Sequence, residues 1–194
     1  TPSLAAVIQD CRTRLLEMFV SPGGTGDHAK GATMAKSVFY SFHYANDWWR
    51  VNTIKSMGVI EGQPVLDSQD WESVKRQGED AIWRWIKRQM AGKDAVVVLV
   101  GSGTANRPWV RKEIAYAWDN HIPLCGVRIH GLKDQNQRTA NAGPDPFAQV
   151  SLKGGGTIAD YIQPYTPSGW DSQAVYADIK AALPGLVQNA YVRS

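Results

Sequence analysis

Val96-Val-Val-Leu-Val100 runs directly into Gly101-Ser-Gly-Thr-Ala-Asn-Arg-Pro108 and then Trp109-Val-Arg-Lys-Glu113-Ile114. An unbroken aliphatic run predicts a strand covered on both faces, as in the parallel sheet of an α/β domain. The polar, glycine-bearing loop ends the strand. Pro108 suits the first turn of the helix that follows, and Asn106 is a candidate N-cap. Open α/β sheets place their ligands outside the carboxyl ends of their strands. Glu113 follows Val110 by three and precedes Ala117 by four, so it borders the helix face that packs on the sheet, close to such a cleft. A glutamate there reads in two ways: a partly exposed helix residue paired with Arg107 or Arg111, or a functional carboxylate at the cleft edge.

Outward from this stretch the chain alternates strand and helix. Val38–Phe42 predicts a first strand and Asp47–Met57 a helix. Pro64–Asp67 predicts a short second strand, and Gly78–Met90 an amphipathic helix with Ile82, Trp85, Ile86, Gln89 and Met90 on one face. After Ala95–Val100, the helix Pro108–Asn120 turns Val110, Ile114, Ala117 and Trp118 inward. Pro123–Ile129 predicts a fourth strand, and Gly131–Pro146 a polar loop. A last strand near Ile158–Ile162 and a helix Ser172–Leu183 complete the pattern. Such alternation implies right-handed crossovers and a central, mostly parallel sheet of about five strands with helices on both faces.

Residues 1–20 stand apart. Leu4, Val7, Ile8, Cys11, Leu15 and Phe19 recur at helical spacing, so an amphipathic helix is expected, either an extra docking element or an added leader. Residues 21–33 read as a flexible glycine-rich linker through Gly23, Gly24 and Gly26. The main domain is expected over 34–194.

The chain has 194 residues, 43% hydrophobic and 20% charged, with a formal net charge of +3. That length suffices for a real core. Lys and Arg are scattered rather than banked, which argues against a nucleic-acid partner. Two cysteines, Cys11 and Cys125, build no disulfide framework. No apolar run reaches membrane-spanning length and no signal peptide is evident, so no membrane partner and a cytoplasmic location are expected. Gly101-Ser-Gly103-Thr-Ala-Asn106 lacks the third glycine of a dinucleotide fingerprint and follows the wrong strand. Lys153-Gly-Gly-Gly-Thr157 lacks the phosphate-cradle ending. The four histidines share no metal-ligand spacing, so neither metal nor resident cofactor is expected.

The words Trp109-Val-Arg-Lys-Glu113-Ile114 after an apolar strand, with Ser41-Phe-His-Tyr44 ending the first strand, resemble catalytic TIR domains. From Met34 to about Val150 the chain resembles the TIR-like ThsB proteins of bacterial Thoeris anti-phage systems; after about Ser151 the likeness is loose, and the leader has no counterpart. The resemblance implies a flavodoxin-like TIR fold. It also implies an enzyme that takes NAD as substrate, cleaves the nicotinamide–ribose bond with Glu113, and cyclises the ADP-ribose into a diffusible nucleotide that reaches an effector protein. One carboxylate suffices for this chemistry. The nicotinamide is already cationic, so it departs neutral without a general acid, and the carboxylate stabilises the oxocarbenium-like ribose.

For the rest of the site the resemblance implies Ser41 and His43 as hydrogen-bonding groups for ribose or diphosphate. Phe42 either stacks on a base or fills core; Trp109 either walls the nicotinamide side or anchors its helix. Asp67 and the loop to Gly78, with Trp71, are expected to mediate self-assembly. Two other readings remain open: a non-catalytic TIR-like binding or assembly module, and an N-glycosidase resembling nucleoside deoxyribosyltransferases.

Overall fold

The computed structural model describes residues 36–62, 76 and 78–194. The expected leader helix and linker, the expected strand Pro64–Asp67 and the assembly loop around Trp71 lie outside the described residues. These fall into two units. One, of 76 and 78–88, holds most of helix α2 as named below. The other, of 36–62 and 89–194, carries the sheet and the candidate site.

The elements in chain order are β1 (Ser37–Phe42), α1 (Tyr44–Lys55), β2 (Glu61–Gly62), α2 (Glu79–Met90), β3 (Ala95–Val100), α3 (Pro108–Asp119), β4 (Leu124–Arg128) and α4 (Ser172–Gln188). In α2, Glu79 and Asp80 occupy the first turn and Lys87 and Arg88 the last, which complements the helix dipole.

All strand pairs are parallel and their order is β2-β1-β3-β4. Every residue of β3 is buried, as its aliphatic run requires, and it lies between β1 and β4. The order reverses direction between β1 and β3, which makes the carboxyl ends of those two strands the switch-point crevice of the sheet.

Strand alternation sorts the core into two layers. On one face Val38, Tyr40, Val97, Leu99, Cys125 and Val127 pack with Val51 and Ile54 of α1 and with Val175, Ile179 and Leu183 of α4. The other face meets α3, whose inward residues Val110, Ile114, Ala117 and Trp118 are buried. Helices therefore cover both faces, as the alternating pattern predicts.

The sheet departs from the sequence expectation in having four strands among the described residues, not five. Strand β2 is a two-residue element at Glu61–Gly62, earlier than the expected second strand. The expected strand Ile158–Ile162 is a turn of 3-10 helix, Ile158–Asp160. Thr157 and Asp160 form a reciprocal cap there, with Thr157 N–H donating to Asp160 Oδ2 at 2.8 Å. Ile158 and Ile162 are both buried, and a spacing of four puts two residues on one side of a helical turn as well as on one face of a strand. In place of a fifth strand, isolated bridges from Tyr165 and Tyr191 cover the outer edge of β4.

Two helix ends also differ. Helix α4 continues through Pro184 to Gln188, because Leu183 and Val187 keep its buried stripe going past the proline. Asn106 does not cap α3; it closes a short 3-10 turn, Thr104–Asn106, and Arg107 occupies the N-cap position without a side-chain cap bond. No helix among the described residues is long and apolar enough to cross a membrane.

Candidate active site

Ser41 is the penultimate residue of β1. Alternation turns it toward α3, while Tyr40 on the preceding position joins the opposite core layer. Glu113 lies in the second turn of α3, flanked by buried Val110, Ile114 and Ala117. The two meet at the end of the sheet, where Ser41 Oγ donates a hydrogen bond of 2.5 Å to Glu113 Oε2.

Glu113 is more enclosed than a cleft-edge residue; it is 8% exposed. It has none of the ion pairs with Arg107 or Arg111 that its sequence position allows, the serine being its described hydrogen-bond partner. Burial pushes its pKa up to about 7, and the Ser41 hydrogen bond, which favours the anion, offsets part of that rise. A buried carboxylate poised near neutrality at the switch point of the sheet is the kind of group that a neighbouring positive charge returns to the anion.

His43 supplies the backbone N-cap of α1, and its carbonyl accepts from Asp47 N–H at 3.0 Å. Its ring is buried and Nδ1 has no hydrogen-bond partner. Burial, reinforced by the Arg107 charge, lowers its pKa to about 4, so the ring is neutral at physiological pH.

Phe42 packs against the core layer of α1 and α4, on the other side of β1 from Ser41. There it begins an aromatic series: its centroid lies 5.8 Å from Tyr44, and Tyr44 lies 4.8 Å from Trp48. Trp109, in the first turn of α3, is half-buried, with Lys112 Nζ 4.9 Å from its ring centroid. Ser41 and Glu113 are thus in direct contact, His43 lies at the same strand end, Phe42 turns to the opposite face, and Trp109 stands one turn before the carboxylate.

The glycine-bearing turn after β3 has a packing explanation that its likeness to a dinucleotide fingerprint conceals. Any Cβ on Gly101 would overlap the carboxylate of Asp47, and one on Gly103 would come 3.1 Å from His43 Nδ1. Thr104 Oγ1 locks the turn by accepting from Gly101 N–H at 2.9 Å and donating to Leu99 O at 3.3 Å.

Sequence reasoning missed two residues of this assembly. Asp47 is 1% exposed and Arg50 4% exposed, and Arg50 Nη1 donates to Asp47 Oδ1 at 3.2 Å. Burial raises the Asp47 pKa, and Arg50 opposes that rise. A spacing of three on a helix reads as an ordinary surface ion pair, so the sequence alone carried no sign of burial.

Residues 39–134 match the family model described as "Thoeris protein ThsB, TIR-like domain". A Bacillus cereus (strain MSX-D12) protein named "Putative cyclic ADP-D-ribose synthase ThsB1" is 34% identical over 119 residues, which is 59% of this chain. The match covers 62% of that relative, so the chain spans less than two-thirds of its length. Ser41, His43, Asp47, Arg50, Trp109 and Glu113 all fall inside the matched segment.

Proposed function

We propose, from the match of residues 39–134 to the TIR-like ThsB family model, that this chain cleaves the nicotinamide–ribose bond of NAD and cyclises the ADP-ribose that results. The observation that carries this reading is the buried Glu113 carboxylate held by Ser41 at the switch point of the sheet. In the proposed reaction the nicotinamide leaves neutral with the electron pair of the broken bond. The ionised Glu113 faces the ribosyl cation that develops. Ser41 holds one carboxylate oxygen, which leaves the other free to face the sugar, and neutral His43 is a hydrogen-bonding group for ribose or diphosphate. The name of the Bacillus cereus relative, "Putative cyclic ADP-D-ribose synthase ThsB1", supports cyclisation over simple hydrolysis. The cyclic nucleotide would serve as a diffusible signal to an effector protein, NAD being a substrate and not a resident cofactor.

The test is to incubate purified protein with NAD and, separately, with purine and pyrimidine deoxynucleosides, and to resolve the products by mass. Nicotinamide and a cyclic ADP-ribose are expected from NAD, with nucleosides untouched. Cleavage of nucleosides alone would favour the deoxyribosyltransferase-like reading. Binding of NAD without turnover, at high protein concentration and with candidate partners present, would favour a binding module.

A further inference from the structure

The buried guanidinium of Arg50 reaches two backbone carbonyls of the loop after β4. Arg50 Nε donates to Leu132 O at 2.8 Å, and Nη2 donates to Arg138 O at 3.1 Å. Nη1 donates to Asn46 O and to Asp47 Oδ1, both at 3.2 Å. Asp134 Oδ2 lies 3.8 Å from Nη2. The loop is closed at its neck, where Ala140 N–H donates to His130 O at 2.9 Å, and Asp134 Oδ1 accepts from the Asn136 and Arg138 N–H groups within it.

Past that neck the chain folds back over the turn after β3. A Cβ on Gly143 would overlap the Gly101 and Ser102 carbonyl oxygens, so the two backbones are in contact, and Arg128 Nη1 secures Gly143 O at 2.7 Å. On its other side the same turn rests on Asp47, whose Oδ2 has no hydrogen-bond partner. Asp47 and Arg50 therefore join, from one turn of α1, the two backbone segments that rim the carboxyl end of the sheet where Glu113 stands.

From this arrangement we infer that Arg50, set by Asp47, is a positioning residue: it keeps the 130–146 loop seated on the Gly101 turn and so limits water's access to the cleaved intermediate. The inference rests on the proposed NAD chemistry. Breaking the bond between ribose C1′ and the nicotinamide nitrogen sends the electron pair to nicotinamide. The ribosyl cation then bonds either to a water oxygen or to a nucleophilic atom of its own ADP half. Each route releases one proton, to Glu113 or to solvent. A seated loop favours the internal nucleophile, and a loosened one admits water. Lysine cannot replace the planar fork that serves three carbonyls and a carboxylate at once, though it keeps the charge.

The test compares wild type, Arg50→Gln and Arg50→Lys for the ratio of linear to cyclic ADP-ribose formed from NAD. This ratio is a property of each turnover, so a reduced folded fraction does not move it. The linear share is expected to rise at least threefold in Arg50→Gln and by less in Arg50→Lys. Hydrogen exchange of backbone amides over 130–141 is expected to quicken about tenfold in Arg50→Gln while β3 stays protected. Should Arg50→Gln fail to fold, Arg50→Lys carries both measurements. Folded variants with wild-type exchange and an unchanged product ratio overturn the inference and leave the proposed chemistry standing. A wild type that yields no cyclic product overturns cyclisation and the partition together, a different result from an unchanged ratio.

Discussion

Glu113 carries two consequences that separate cleanly by measurement. Its negative charge is proposed to face the ribosyl cation, and Gln would keep its shape and still accept from Ser41. Glu113→Gln is expected to lower the rate of NAD cleavage by about 10²–10³ while retaining NAD binding, checked by product assay and titration calorimetry. Wild-type turnover in that variant would end the catalytic assignment. The second consequence is stability, for a cleft-edge glutamate would be neutral to the fold and this one is buried. Its pKa is raised from 4.5 to about 7, so the folded chain holds a proton over an interval where the unfolded chain has lost it. Stability from this group is present in full below about pH 4.5, declines as pH rises toward 7, and does not fall further above it. The stability of Glu113→Gln relative to wild type, read from denaturant midpoints, should therefore climb between about pH 4.5 and about pH 7, by at most roughly 3 kcal/mol. The wild-type kcat/KM for NAD should rise with an apparent pKa near 7. Ser41→Ala removes the bond that favours the anion and should move that midpoint to higher pH.

Among the elements, the turn between β3 and α3 is the most tightly specified. Gly101 is in contact with the Asp47 carboxylate, which is buried and bound to Arg50, so it cannot swing aside; Gly103 faces a histidine ring at a milder distance. Gly101→Ala is expected to cost about 1–3 kcal/mol by overpacking, and Gly103→Ala less, read from denaturant midpoints at unchanged m-value. Equal costs would mean that the Asp47 contact yields easily.

How far these elements were legible follows from the same contacts. The β3–α3 stretch was readable because an unbroken aliphatic run and a first-turn proline each admit few alternatives. The 158–162 segment misled because two isoleucines four apart fit a coil as well as a strand, and the Thr157–Asp160 cap decides between them. Helix α4 passes Pro184 because the burial of Leu183 and Val187 outweighs one missing hydrogen bond. At the site, the pairing of Ser41 with Glu113 needed the strand order, and the burial of Asp47 and Arg50 needed the loop that folds over them. Pattern along the chain reports periodicity; it does not report what arrives from 88 residues away, as Arg138 does at Arg50.

At the scale of the molecule, the sequence-based expectation of self-assembly through the loop around Trp71 has a direct measure. Specific activity should climb with protein concentration, and Trp71→Glu should suppress the climb; a flat profile from a monomeric sample would remove the idea. The outer edge of β4 offers no route to such assembly. Leu124 exchanges both backbone hydrogen bonds with Tyr191, at 2.8 and 3.0 Å, and Tyr165 satisfies Gly126 O at 2.8 Å and Arg128 N–H at 2.9 Å. Tyr191 also stacks on Trp118 with ring centroids 5.6 Å apart and planes 7° apart. Ending the chain after Ala190 should release that strap and cost about 1–3 kcal/mol. Because Leu124 opens β4, the bared backbone would lie at the amino end of the sheet, remote from Glu113 along the strand axis. Exposed edge groups recruit other edges, so the shortened chain should cloud on standing while the fraction left in solution is expected to turn over NAD at the full-length rate for its concentration. Loss of solubility and loss of turnover would then trace to opposite ends of one sheet, and the strap could be strengthened for storage or handling without disturbing the chemistry.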